Sequence, residues 1–494
     1  MAYTLGIDIG TYETKGVLVD EAGHVVAQAA RGHQMLVPEP GWAEHRPDED
    51  WWGDFVFVCR AVLAESGVAA TEIKAVACSA IGPCMLPVDA AGNPLMNGVL
   101  YGVDTRAEAE VQALTDRIGE DVLIARCGNA LTSQSVGPKI LWLKNARPEI
   151  YAQTAEIFTS TSFLVKRLTG ESVIDHYTAA NFAPLYDVVA QDWVDDLAGD
   201  IIGLDKLPRL MWSDEIAGGV TAAAAEITGL AAGTPVTVGT IDAAAEALSV
   251  GVREPGDMMM MYGSTIFIIL RSDIQVTDPR IWYAPWLFRG EHASMAGLAT
   301  SGTLTHWFRD QVARDLEVAD AFPQLAAEAA LSPPGANGLL MLPYFSGERT
   351  PLHDMQAKGA MIGLNLTHTR GDMYRALIEG IAYGTRHVTD TFAELGRAPS
   401  RLLAVGGGVK NRLWLEATSD ITGIDQVVCE KTTGASYGDA FLAAVAIGAA
   451  SREDIAVWNP VAEVVPARPN AVYDARFQQF RAFYEATKGI MAQL

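Results

Sequence analysis

The feature that most constrains this chain is a unit it carries twice. Near the start, "YTLGIDIG" and "KGVLVDEAG" read as two strands joined by the turn Gly10–Lys15. About 250 residues later, "PGDMMMMYGSTIFIIL" gives a strand, the turn Gly263-Ser264-Thr265 and a second strand. Two such hairpins, each with a glycine and hydroxyls at its bend, imply two related domains, and 494 residues exceed what one core holds. The boundary falls near "ALSVGVREPGD", residues 247–257, where Gly, Pro and charge interrupt the pattern. This predicts domains over 1–248 and 249–494.

The segments after the first hairpin alternate in type. "HVVAQAA" reads as a third strand. After "HRPDED", apolar residues Trp51, Trp52, Phe55, Val56, Cys59, Val62 and Leu63 follow helical spacing, and Gly67 ends the helix. The strand "IKAVACSA" then stops at "IGP". That alternation predicts an α/β architecture. The Trp51-Trp52 pair reads as core, and "LSPPGANG" at 331–338 as an exposed loop.

With 36 Lys and Arg against 60 Asp and Glu, the net charge is −24. A surface of that sign repels nucleic acid and anionic membranes, which argues against either as a partner. Five scattered cysteines without a CxxC pair suit buried thiols in a reducing cytoplasm. No apolar run reaches the roughly 20 residues of a membrane span, and no signal-like segment opens the chain.

Three stretches could carry chemistry. In "DIGTYETK", the turn exposes backbone N–H groups, Thr11 and Thr14 add hydroxyls, and Lys15 adds a cation, a set suited to phosphate oxygens. Asp8, opposite Ile7 and Ile9 by strand alternation, could hold Mg²⁺ through water. A plain hairpin with a solvated Asp and Lys fits the same letters. In "VTVGTIDAAAEALSVG", Asp242 begins a helix, where it could be an N-cap or a general base. In "AVGGGVKN", Gly406–Gly408 could let a flat nucleoside approach, with Asn411 opening a helix, or could simply make a tight turn. None of the nine histidines shows metal-ligand spacing.

Taken in order, these stretches resemble the FGGY family of carbohydrate kinases. "GIDIGTYETK" is similar to the family's first phosphate motif, "PGWAEHRPDEDWW" to its Gly-Trp-x-Glu segment, and "YGVDTR" to its Asp-x-Arg element. "GTIDAAAEALSVG" resembles the segment with the catalytic aspartate, and "YGSTIF" the second phosphate turn. "PYFSGERTPLHD" is close to a stretch of xylulokinase-like members. "GAMIGLNLTHTRGDMYRALIEG" fits the C-terminal signature, and "GGGVKN" the adenosine element.

The resemblance implies two ribonuclease H-like domains of the actin and hexokinase type, facing across an ATP-binding cleft that closes on substrate. It implies an ATP- and Mg²⁺-dependent kinase of a small sugar such as xylulose or a related ketose, with Asp242 as base. Asp8, Gly10, Thr11, Thr14, Lys15, Gly263, Ser264, Thr265, Gly407, Gly408 and Asn411 would hold the nucleotide, with Asp8 also facing Mg²⁺. Ile81, Gly82, Asp104, Arg106 and Asp242 would hold the substrate, and a homodimer is the expected assembly.

The chain also departs from the family. Around "QSVGPKILWLKN", Lys139 and Trp142 fit the other signature, whereas Gln134 and Val136 do not. Where xylulokinases carry a sugar-reading Gln-Met-His-Gly turn, this chain has Ala80, Ile81, Gly82 and Pro83. The alternatives are therefore a polyol or another sugar, such as a tetritol or an L-pentulose. From another class comes a non-catalytic actin-like ATP-binding module. Glu13 is expected to point outward, away from phosphate.

Overall fold

The computed structural model describes residues 2–197 and 199–494. Packing divides the chain into two compact units. The first comprises the chain up to Arg253 together with Asp273–Ala293 and Thr433–Pro460; the second comprises Glu254–Ser272, Ser294–Thr432 and Val461–Leu494. A short segment from late in the sequence, 433–460, thus completes the first unit.

The first unit is built on β1 (Tyr3–Ile9), β2 (Glu13–Asp20) and β3 (Val25–Gly32), an antiparallel meander. After α1 (Asp54–Ser66), the strand β4 (Ile73–Ala80) pairs parallel to β1. The sheet continues through β5 (Ile216–Gly219) and β6 (Pro235–Thr237) in the order β5-β6-β4-β1-β2-β3, and β7 (Thr240–Ile241) also pairs with β4. Two helices follow: α2 (Asp242–Ser249) and, from the late segment, α3 (Ala435–Ala446). The interior of β1 is buried on both faces because α1 packs on β2 and β3 while α3 packs on β1 and β4. Sheets covered on both sides carry continuous apolar runs, as β1 and β4 do.

The start of α1 differs from the spacing-based expectation. Trp51 and Trp52 lie in a wide turn, Pro47–Gly53, that leads into the helix at Asp54. Trp51 is fully buried, while Trp52 is half-buried and stacks on Phe55 at 5.7 Å. Gly67 ends the helix in the left-handed region, φ 64°, where a side chain would be strained.

The second unit repeats the scheme. β8 (Asp257–Tyr262) and β9 (Ile266–Ser272) form the antiparallel hairpin, and β10 (Arg401–Val405) runs parallel to β8. β11 (Gln426–Cys429) and β12 (Val461–Val465) extend the sheet. A hairpin whose first strand takes a parallel partner is common to both units, so the duplication read from the two turns is also a shared topology.

The segment 331–338 is less exposed than its prolines suggested. Leu331 is open to solvent, but Ser332 and Ala336 are buried. The Ser332 carbonyl accepts from Arg375 Nη1 at 2.8 Å, and its hydroxyl donates to Asp372 at 2.6 Å. Among the described residues no cysteine forms a disulfide, and all five are buried. Among the described residues, no helix is long and apolar enough to cross a membrane.

Candidate active site

Two glycines let three elements meet. At Gly6 in β1, a Cβ would overlap the Ser436 carbonyl oxygen, so only glycine allows α3 to lie on the strand. At Gly438 in α3, a Cβ would overlap the Ala245 carbonyl oxygen, so α2 approaches α3 by the same means. The close packing gathers carboxylates from all three elements. Asp8 Oδ1 accepts from Ser79 Oγ at 3.1 Å, and Asp439 Oδ2 accepts from the Ser79 amide at 3.1 Å. The same hydroxyl lies 2.7 Å from Asp439 Oδ2, so a single Ser79 proton faces two carboxyl groups.

Asp439 is fully buried, and its Oδ1 has no hydrogen-bond partner among the described residues. Burial, then repulsion from Asp242, raises its pKa well above the usual carboxylate value. Asp8 is raised in the same way, by burial and then by Asp242 and Asp439. Such groups bind a proton more tightly folded than unfolded, so the stabilisation is complete below the unfolded pKa and lost as pH rises through the folded one. Asp439→Asn cannot ionise. Its thermal midpoint should exceed the wild-type value by about 2 °C or more at pH 8 and match it only below about pH 4, the unfolded carboxylate's own range. A lower midpoint at pH 8 would show that the carboxylate is needed in charged form.

Asp242 is the first residue of α2, and the Ncap position is taken by Ile241. Among the described residues its Oδ1 accepts only from the next amide, Ala243, at 2.7 Å, so the side chain does not cap the helix. The side chain is half-buried, and burial is the main cause that pushes its pKa up to about 7. Glu246, one turn on, is also raised by burial, partly offset by Lys15 and by the Ala435 amide at the start of α3.

Beside Asp242 stands a largely apolar wall. A Cβ on Gly82 would come within 2.8 Å of Ile241 Cγ1, so this glycine packs directly against the residue before Asp242. Gly82 is half-exposed, whereas Ile81 is buried with its amide donating to the Ile9 carbonyl at 2.7 Å. Tyr101 completes the wall: its hydroxyl is 3.1 Å from Thr11 Oγ1, and its pKa is raised by burial, with Asp242 adding to the shift. Lys139, buried, donates to the Leu100 carbonyl at 2.5 Å and the Tyr101 carbonyl at 3.0 Å, anchoring that segment.

The first turn separates its candidates. Gly10 and Thr11 form the bend, and the Gly10 amide donates to the Glu13 carbonyl at 2.9 Å. Lys15, opposite Asp8 in the hairpin register, is half-exposed and pairs with Glu13 at 3.2 Å. Thr14 points the other way: it is buried and its hydroxyl donates to Asp54 at 3.4 Å, beneath the turn.

Asp104 and Arg106 meet each other rather than open space. Both side chains are fully buried, with Arg106 Nη2 donating to Asp104 at 2.7 Å and to Glu44 at 2.9 Å. The guanidinium lies between Trp42 and Trp142, 4.0 and 5.0 Å from the ring centres. Only its Nη1 lacks a partner among the described residues. Gln134 and Ser133 tie this region to Gly102.

In the second unit, Tyr262 brings two candidate stretches together. It precedes the Gly263–Thr265 turn, and a Cβ on Gly408 would lie 2.8 Å from its Cβ. Gly263 and Ser264 carbonyls accept from the Gly302 and Ser301 amides at 3.0 and 3.1 Å, fixing the turn against the N-terminus of the helix Gly302–Val312. Asn411 caps the helix Arg412–Thr422 by accepting from the Trp414 amide at 3.2 Å, and its Nδ2 approaches the Tyr374 hydroxyl at 3.4 Å.

Sequence reasoning missed Ser79, Tyr101, Glu246 and Asp439. A lone charge in the apolar run "GASYGDAFLAAVA" was the available signal for Asp439. Among the described residues, no group of three or more His, Cys, Asp or Glu is arranged to hold a metal ion.

The comparisons with known proteins agree along the whole chain. Residues 3–249 match the N-terminal domain of the FGGY family of carbohydrate kinases, and residues 258–447 match its C-terminal domain. A xylulose kinase of Bacillus subtilis is 27% identical over 501 residues, covering 100% of this chain and 99% of the relative. A gluconokinase of the same organism is 27% identical over 90% of this chain and 88% of its own length. The crystal structure of xylulose kinase from Rhodospirillum rubrum superimposes with a TM-score of 0.93 at 30% identity, covering 99% of each chain. The hairpin-and-parallel-strand units are those of the actin and hexokinase-like fold, and the chain belongs to the FGGY family of carbohydrate kinases, phosphotransferases that act on a sugar hydroxyl.

Proposed function

We propose that this kinase transfers the γ-phosphoryl group of ATP to a hydroxyl of a ketopentose such as xylulose, with Asp242 as the general base. The observation that carries the reading is the state of Asp242: it caps nothing, has one weakly competing donor, and is pushed up to about 7, where a carboxylate can accept a proton near neutrality. Gly82, Ile241 and Tyr101 would form the acceptor wall beside it. Asp104 and Arg106, spent on each other, would support that wall from behind and hold no hydroxyl directly.

On the phosphate side of the first unit, the Gly10–Thr11 bend and Lys15 would meet the polyphosphate. Thr14 would brace the bend from below. In the second unit, Gly263, Ser264 and Thr265 would contact phosphate, and Gly407, Gly408 and Asn411 would adjoin the nucleoside. Mg²⁺ fits Asp8: the Oδ2 oxygen accepts no hydrogen bond among the described residues, and a cation would offset the crowding that raises its pKa. One carboxylate with retained waters is an ordinary way to hold this ion, which would neutralise charge on the transferring phosphoryl group. The division into 1–248 and 249–494 would be the inherited repeat, with the late segment 433–460 packing back onto the first unit.

One observation favours a different acceptor. The Ala80–Pro83 turn offers no side-chain polar group, and the relatives include a gluconokinase as well as xylulose kinases. ADP release measured over a panel of ketopentoses, tetritols, polyols and gluconate separates these. The expected result is the highest kcat/KM on a ketopentose. A clear preference for a polyol or for gluconate would replace xylulose as the substrate, and no acceptor-dependent turnover on any member would overturn the proposal.

A further inference from the structure

Two buried histidines grip the bend of the phosphate turn from the side of α1. His33 Nε2 donates to the Gly10 carbonyl at 3.0 Å, and His45 Nε2 donates to the Thr11 carbonyl at 3.1 Å. Trp51 Nε1 donates to His45 Nδ1 at 3.1 Å, which fixes the tautomer with its proton on Nε2. Burial, reinforced by neighbouring His33, lowers the pKa of His45 to about 4, so this ring stays neutral. His33 Nδ1 lies 2.9 Å from Asp54 Oδ2, and that carboxylate also takes Arg31 at 3.0 Å and the Thr14 hydroxyl. The two rings meet edge to face at 4.8 Å.

Peptide geometry gives these contacts a consequence. In a trans peptide the C=O of one residue and the N–H of the next point in opposite directions. With the Gly10 and Thr11 carbonyls held inward, the Thr11 and Tyr12 amides are turned outward. Neither amide donates to any acceptor among the described residues. A pair of adjacent outward N–H groups is an anion-binding concavity. Resting on the phosphate-turn reading above, we infer that His33 and His45 are positioning residues that hold the Thr11 and Tyr12 amides toward the polyphosphate of ATP. They touch neither substrate, and their effect passes through the two carbonyls.

Asn and Gln variants separate this role from bulk packing. Gln places its amide where His Nε2 sits and can keep the carbonyl bond; Asn reaches only as far as Nδ1 and loses it. His33→Asn keeps the Asp54 partner and His45→Asn keeps the Trp51 partner, whereas each Gln variant gives up that Nδ1 partner and keeps the carbonyl bond, so the two series lose opposite contacts of the same ring. MgATP binding is read by calorimetry without sugar, so the acceptor's identity does not enter. Each Gln variant should bind within about threefold of wild type, and each Asn variant about tenfold more weakly, the cost of one lost hydrogen bond in a pre-set site. In turnover, KM for ATP should rise with the Asn variants while KM for the sugar stays constant.

Equal MgATP affinity for the folded Asn and Gln variants would overturn the inference. So would loss of folding in both Asn variants, which would leave a purely structural role. Wild type that binds MgATP but phosphorylates no panel member would sink the acceptor reading alone. Wild type that binds no MgATP would sink the phosphate-turn reading and this inference together.

Discussion

Replacing Asp242 with asparagine should lower kcat by about 10³-fold, the range of a lost general base, with KM for the sugar changed by less than about threefold. Asparagine keeps the shape and the contact with the Ala243 amide, so the helix start is preserved. Because Asp242 makes no capping bond, removing its charge costs α2 no hydrogen bond. Its folded pKa, about 7, exceeds the usual carboxylate value, so the ionised form is a burden on the fold at pH 8. The variant should therefore melt at or above the wild-type temperature there, which separates lost chemistry from lost structure.

The wild-type pH profile follows from the same group. Only the carboxylate accepts the hydroxyl proton, so kcat/KM should fall about tenfold per pH unit well below 7 and level off above it. Full turnover in Asp242→Asn, or a profile flat down to pH 5, would remove Asp242 from the role of base.

Much of the scaffold was written locally. β1 and β2 follow from apolar runs around a glycine turn, and α1 from helical spacing closed by Gly67. What escaped were relations between distant residues. Nothing near Asp439 announces Ser79, 360 positions away, because the partnership exists only once α3 lies on β1. Asp104 and Arg106 looked like free polar groups since their partner, Glu44, and the flanking Trp42 and Trp142 are remote in sequence. Thr14 shares a turn with Thr11, yet strand alternation sends its hydroxyl to the opposite face. His33 and His45 lacked metal spacing and so passed as ordinary core residues. Their partners are backbone carbonyls, which carry no side-chain signature.

The second large effect is expected at Gly438. Here α3 crosses α2 backbone to backbone, and the atom a Cβ would strike is the Ala245 carbonyl oxygen, with the Ser249 amide 3.2 Å away. Neither can rotate aside as a side-chain tip could, so the helices must separate. Overpacking a well-filled core typically costs about 1–3 kcal/mol and more where backbone has to move. Gly438→Val should lower the thermal midpoint by about 6 °C or more, or prevent recovery of folded protein. Gly438→Ala is the informative case, because part of it should fold. Any shift of α2 carries Asp242 with it, and misplacing a catalytic group by about 1 Å can cost 10²-fold. Folded Gly438→Ala should thus lose kcat out of proportion to its loss of stability. Gly489, in the helix Ala471–Met491, is the control: a Cβ there meets nothing within 4 Å, and alanine should be neutral or stabilising by about 0.5–1 kcal/mol. If Gly438→Ala matches wild type in both midpoint and kcat, the close crossing of α2 and α3 is not what sets the position of Asp242.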